Sequence, residues 1–213
     1  MNLEHLKINF LGDSITEGVG ASSVEKVYFN LLKERFHLEE ARCYGVSGTR
    51  FAKQNKPSAT ARTDMDFVKR APEMDPDADV VVVFGATNDY GHGDAPFGTD
   101  SDRTPDTFCG ACHTLMRYLK ETYVGKTVVF MTPLHRENEN TPRFDGHVLA
   151  DFVEVIKKTA IQYSIPVLDL YGASGIQPDI PAIKEALVPD GLHPNDAGQQ
   201  LIADRLANFL LAY

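Results

Sequence analysis

Residues Asp79–Phe84 place four valines and a phenylalanine in an unbroken run. β-Branched and aromatic side chains favour the pleated backbone, and a run apolar on both faces belongs to a strand covered on both sides. Such a strand is the centre of a parallel sheet with helices above and below it. Four more short strands are predicted at Lys7–Leu11, Arg42–Val46, Thr127–Met131 and Pro166–Leu170. Helical patterns lie between them. Behind a Ser22 or Ser23 cap, Val24, Val27, Tyr28, Leu31, Leu32 and Phe36 repeat with the helical period. A weaker helix over Asp64–Arg70 is closed by Pro72 and Pro76. Thr104 caps a helix with Pro105 at its first position, ending near Tyr123 with Gly125 as its stop. Further helices are predicted over His147–Tyr163 and from Asn195 or Asp196 to Tyr213. Tyr90–Arg103 carries three glycines and a proline without periodicity, and is predicted to be a surface loop. Every crossover is long enough for a helix. The expected fold is therefore an α/β, doubly wound, flavodoxin-like parallel sheet of five strands in order 2-1-3-4-5, within three α/β/α layers. No repeat or linker divides residues 1–213, which are predicted to form one domain.

The 213 residues suffice to bury a core without staples. A formal charge of −9 argues against nucleic-acid or anionic-membrane partners, which call for a basic face. The longest apolar run, Val80–Ala86, is too short to span a bilayer, so no stable membrane insertion is expected. Glu4, His5 and Lys7 interrupt any signal-like start, and the expected location is the cytoplasm. The oligomeric state is not written in the sequence. Three cysteines do not suggest a disulfide framework. Cys109-Gly110-Ala111-Cys112-His113 matches a haem-attachment spacing, but Phe108, Cys112, Leu115 and Leu119 form one apolar stripe, so core packing is the expected role.

The chemistry concentrates at two stretches. Ile8-Asn9-Phe10-Leu11 runs into Gly12-Asp13-Ser14-Ile15-Thr16, the pattern of a strand ending in a turn that opens a helix. Ligands of open α/β sheets bind at that edge, so Ser14 is presented as a nucleophile. A serine hydroxyl needs a base and a group that orients the base. Asp190 and His193 stand three apart in a turn bounded by Gly191 and Pro194, a spacing that can hold a carboxylate beside an imidazole. Other site grammars fail. Gly18-Val19-Gly20 lacks the third glycine of a dinucleotide loop, no Walker lysine follows, and Thr16 occupies the last glycine position of a nucleophile elbow.

Four blocks, Gly12-Asp13-Ser14, Ser47-Gly48-Thr49, Thr87-Asn88-Asp89 and Asp190 to His193, follow strands or precede the last helix in that order. Together they resemble the SGNH (GDSL-type) hydrolase family over nearly the whole chain. The resemblance implies an esterase with Ser14 as nucleophile, His193 as general base and Asp190 as its orienter. It also implies an oxyanion hole made by the backbone N–H groups of Ser14 and Gly48 and the side-chain amide of Asn88. Neutral preorganised donors suit the charge that develops on the carbonyl oxygen. The family's third block usually reads G-x-N-D, whereas Ala86 stands at the glycine position, with Gly85 one place earlier. The expected effect is on local packing more than on catalysis. Gly45 and Gly48 both offer a second-block glycine, and Gly48 fits the family better.

Around these, Asp13 and Asp89 are expected to brace their turns and are also candidate substrate contacts. His135 and Arg136 follow the fourth strand at the same edge and are further candidates. The polar run Asn88–Asp94 carries metal-binding residue types, but loop solvation or substrate contact is the expected role. No metal or cofactor is expected, and the expected partner is a small-molecule ester. The absence of a long apolar lid disfavours a true lipase. A short acyl group, acetyl above all, on a carbohydrate or other small polar alcohol is the expected substrate. Lysophospholipase, thioesterase and acyltransferase activities within the family remain open, as does a non-catalytic flavodoxin-like binding module.

Overall fold

A computed structural model describes residues 1–213. Five strands, β1 (Lys7–Gly12), β2 (Glu40–Gly45), β3 (Val80–Phe84), β4 (Thr127–Met131) and β5 (Val167–Leu168), form one sheet in the order β2-β1-β3-β4-β5. Every neighbouring pair is parallel. The expected topology is what the chain adopts. All five residues of β3 are buried, and their side chains alternate between two cores. Val80, Val82 and Phe84 face the layer that holds α2 (Tyr28–Phe36) and α9 (Asp196–Ala212). Val81 and Val83 face the layer that holds α3 (Phe67–Arg70), α5 (Phe108–Thr122) and α6 (Leu149–Gln162). Cys112 lies fully buried in that second core beside Phe108, Leu115 and Leu119, while Cys43 is exposed.

The helices differ from expectation in several places. The Ser22–Ser23 start gives only a 3-10 turn over Val24–Lys26, and α2 begins afresh at Tyr28. The break is tertiary in origin, because the Tyr28 N–H donates to the buried side chain of Gln199 in α9 (3.1 Å). Thr104 does not cap α5. Thr107 does, accepting from Gly110 N–H (3.1 Å), while Phe108 and Cys109 N–H donate to the carbonyls of Pro96 and Phe97. The helix expected over Asp64–Arg70 is shorter, a 3-10 turn over Ala61–Asp64 followed by α3 behind an Asp66 cap, and it ends at Arg70 ahead of Pro72. Pro72 itself sits at the start of a following 3-10 turn over Ala71–Glu73, where its missing N–H is no loss. Four short helices went unpredicted: α1 (Ser14–Glu17), α4 (Thr87–His92), α7 (Leu170–Ala173) and α8 (Pro181–Leu187). Two of them, α1 and α4, carry the site.

Register fixes where the site lies. Gly12 pairs with Gly45 on one side and Phe84 on the other, and Phe84 pairs with Met131. The strands therefore end level, and the segments that follow them emerge side by side at one sheet edge. No helix is long and apolar enough to cross a membrane.

Candidate active site

The nucleophile turn is built by close approach. Helix α1 leaves β1 and lies directly on the end of β2, where a Cβ on Gly45 would stand 2.4 Å from the Glu17 nitrogen. Only glycine allows that contact. Asp13 caps α1, its Oδ1 accepting from Ile15 N–H (3.0 Å). Ser14 is thus the first residue of the helix and is 6% exposed. Its N–H is the first of the helix and has no partner within it.

Across the edge, Ser14 Oγ meets His193 Nε2 at 3.0 Å, and His193 Nδ1 meets Asp190 Oδ2 at 2.7 Å. The second carboxylate oxygen of Asp190 accepts from the N–H groups of Leu192 (2.9 Å) and His193 (2.6 Å). Residues three apart reach each other because Gly191 takes a left-handed turn (φ +78°). Partial burial pushes the Asp190 carboxyl upward, but the hydrogen bonds from His193 and Leu192 outweigh it and hold the group below the usual carboxylate range. An ionised Asp190 acting as acceptor places the proton on Nδ1. Nε2 is then free to take the serine proton.

The neighbouring donors are selected by what is already taken. In the β2–α3 loop, Ser47 N–H donates to Glu17 Oε2 (2.7 Å) and Thr49 N–H to the Val46 carbonyl. The Gly48 N–H between them has no protein acceptor. In α4, Asn88 Nδ2 donates one proton to the Thr49 carbonyl (3.0 Å), which leaves its second proton unclaimed. Arg70 locks these pieces together. Its buried guanidinium donates to the Gly12 carbonyl (3.0 Å) at the end of β1, to the Tyr44 carbonyl in β2, and to Thr49 Oγ1 (2.8 Å).

Asp13 and Asp89 are closed to substrate, which corrects the expectation of contact. They are 1% and 2% exposed, and Asp89 clamps the N–H groups of Phe51 (2.9 Å) and Ala52 (3.0 Å). Burial lifts the Asp13 carboxyl to about 7, against the smaller opposing effects of the Ile15 N–H and Arg70. Burial likewise lifts Asp89 to about 6, against the two backbone bonds that it accepts. His135 is tied to Glu139 Oε1 (2.7 Å) and packs on the Tyr171 ring, a demand on its side chain that competes with substrate contact. Arg136 differs. It donates to the carbonyl and hydroxyl of Thr87 and lines a cavity of about 220 Å³ with Tyr90, Gly91, Glu137 and Arg143. Glu137 N–H donates to the Gly191 carbonyl, which ties the loop that walls this cavity to the Asp190–His193 turn.

Within the Asn88–Asp94 run the polar side chains serve the protein itself. Asp94 accepts from Asn55 and Lys56 N–H, and His92 bonds to Asn88 and Arg50. No group of three or more His, Cys, Asp or Glu side chains is placed to hold a metal ion. Sequence reasoning missed Arg50, Arg70 and His92. The one signal available was the spacing of Asn88 and His92, four apart on what proved to be a helix.

A three-layer parallel sheet that presents serine, histidine and aspartate in hydrogen-bonded series beside unclaimed N–H donors defines the class of serine-type ester hydrolases. The chain belongs to the GDSL-like lipase/acylhydrolase family, whose profile matches residues 10–201. Its activity is hydrolysis of ester bonds. Among solved structures, a protein from Lactobacillus plantarum is 29% identical with a TM-score of 0.85, covering 99% of this chain and 98% of that one. The lipase/acylhydrolase from Enterococcus faecalis shares the fold at 23% identity (TM-score 0.68, 96% and 95% covered). An acetyl xylan esterase shares it at 21% identity (TM-score 0.65, 95% and 98% covered). No curated protein matches the chain by sequence.

Proposed function

We propose that the protein is a serine esterase acting through an acyl-enzyme on short acyl groups, acetyl above all, borne by a carbohydrate or other small polar alcohol. The observation that carries this reading is the continuous series Ser14 Oγ, His193 Nε2 (3.0 Å), His193 Nδ1, Asp190 Oδ2 (2.7 Å). Ser14 Oγ attacks the ester carbonyl as His193 Nε2 takes its proton, and Asp190 holds the imidazolium that forms. The oxyanion is received by Ser14 N–H, Gly48 N–H and the second amide proton of Asn88. His193 then returns the proton to the leaving alcohol oxygen. Water, deprotonated by the same histidine, releases the acid. Water has access, because the Asp190 side chain is 55% exposed and that of His193 19% exposed.

The substrate reading rests on the polar segments that flank the site. A small cavity beside α4, the helix that carries Asn88, is lined by arginine, glutamate, asparagine and threonine, with Tyr90 its one apolar ring. Such a lining suits hydroxyl-rich groups and offers little to a long acyl chain. The acetyl xylan esterase of the same fold acts on a substrate of this kind. The test is hydrolysis of a p-nitrophenyl ester series from acetate to decanoate. The expected maximum in kcat/KM lies at the shortest chains. A maximum at eight carbons or more overturns the acetyl reading while leaving the ester hydrolase in place.

A further inference from the structure

We infer that His92 and Arg50 form a positioning relay that aims the Asn88 amide at the oxyanion, an inference that rests on the esterase reading above. A side-chain amide can serve an oxyanion hole in only one of its two flip states. With Nδ2 forward it donates, and with Oδ1 forward it repels the developing charge. The two states have nearly the same shape, so packing alone selects weakly between them. Hydrogen-bond direction has to select instead.

The structure supplies that direction from a group that can only donate. Arg50 is 3% exposed, and one of its terminal nitrogens is held by Ser58 Oγ (3.1 Å), the Thr63 carbonyl (3.1 Å) and Asp64 Oδ1 (3.0 Å). The other, Nη1, points at His92 Nδ1 (3.0 Å). A guanidinium has no acceptor, so Nδ1 must be bare and the imidazole proton must sit on Nε2. His92 Nε2 stands 3.1 Å from Asn88 Oδ1 and therefore donates to it. At the other end of the amide, the Thr49 carbonyl can only accept, and Asn88 Nδ2 donates to it (3.0 Å). Both bonds demand the same flip state, the one that leaves an N–H for the oxyanion. Partial burial and the charges of Arg50 and Arg136 hold His92 below the usual imidazole range, which keeps Nδ1 bare.

The relay also couples the two non-serine donors. Arg50 and Thr49 belong to the loop that carries Gly48, and Asn88 and His92 stand one turn apart on α4. Donation into Oδ1 polarises the amide and strengthens the remaining N–H as a donor. His92 touches no reacting atom in this scheme and acts through Asn88 alone.

The experiment is a double-mutant cycle on p-nitrophenyl acetate with wild type, His92→Phe, Asn88→Ala and the pair combined, together with His92→Gln. Glutamine restores both a donor for Asn88 and an acceptor for Arg50. His92 lies at the surface, and His92→Ala stands in should phenylalanine perturb folding. Asn88→Ala is expected to lower kcat by about a hundredfold or more, the usual effect of removing an oxyanion donor. His92→Phe is expected to lower kcat by about tenfold or more with KM nearly unchanged, as misplacement of a catalytic group does. His92→Gln should stay within a few-fold of wild type, and His92→Phe should cost nothing further in the Asn88→Ala background. Additive losses, or a His92→Phe enzyme as active as wild type, overturn the relay and leave the oxyanion hole standing. An Asn88→Ala enzyme as active as wild type overturns the oxyanion assignment, and the relay with it.

Discussion

Asp13 sits next to the nucleophile yet serves the fold. One of its carboxylate oxygens caps α1, the other is buried without a partner, and burial lifts the group to about 7. In the unfolded chain the same group titrates near 3.9. Between those values the native state binds the extra proton, so the contribution of Asp13 to folding stability is full below about pH 4 and is lost as the pH rises through 7. Asp13→Asn keeps an acceptor for Ile15 N–H and carries no charge to bury. Urea unfolding at pH 5, 6 and 7.5 should therefore show a shallower loss of stability in the variant than in wild type. Equal slopes would show that Asp13 is ionised throughout at no cost. The roles of single residues divide by how local their cause is. Asp190 and His193 could be paired in the sequence because three residues and a glycine turn bring them together. Arg70 and Arg50 could not, since their partners come from Gly12, Tyr44, Thr49, Thr63 and His92, which only the folded chain assembles.

Helix α4 is the element that the sequence conceals. Thr87-Asn88-Asp89-Tyr90-Gly91-His92 contains a glycine and several polar residues, so neither periodicity nor propensity marks it as helical. It is held by bonds from elsewhere, with Asp89 on Phe51 and Ala52 and Arg143 on the Asp89 carbonyl. Its entry explains the departure from G-x-N-D. Ala86 has φ +79°, a left-handed backbone that glycine adopts freely and alanine does not. The expectation from the sequence was an effect on local packing, and the structure adds one on the backbone. Gly85, by contrast, has no room for a side chain, because a Cβ there would stand 2.7 Å from the rings of Phe51 and Phe67. Relieving the left-handed strain is worth about 1–2 kcal/mol. The extra freedom of glycine in the unfolded chain offsets about 0.4–1 kcal/mol of that. The buried Ala86 methyl is worth about 0.8 kcal/mol more, so the effects nearly cancel and Ala86→Gly should keep the melting temperature within roughly 2 °C of wild type. A fall of more than about 5 °C would mean that the left-handed backbone at Ala86 costs little and that the methyl dominates.

At the scale of the whole molecule the fold was legible because one binary pattern governs it. Five short strand runs separated by helical stretches, the middle three (β1, β3 and β4) buried almost throughout, admit little besides a doubly wound parallel sheet, and the level strand ends follow from its register. That register brings Ser14, Gly48 and Asn88 to one edge from segments far apart in the chain, and the turn before α9 adds His193 to them. The architecture was visible in that alternation of strands and helices, whereas the oxyanion positions needed the family resemblance, because nothing local marks Gly48 or Asn88 as donors. The whole arrangement reduces to one claim, that Ser14 is the nucleophile and is activated through His193. The most direct test is p-nitrophenyl acetate hydrolysis by wild type and Ser14→Ala, side by side, with matched circular dichroism. Loss of at least about a thousandfold in the variant is expected, as for other serine triads. Equal rates in the two proteins would contradict the claim.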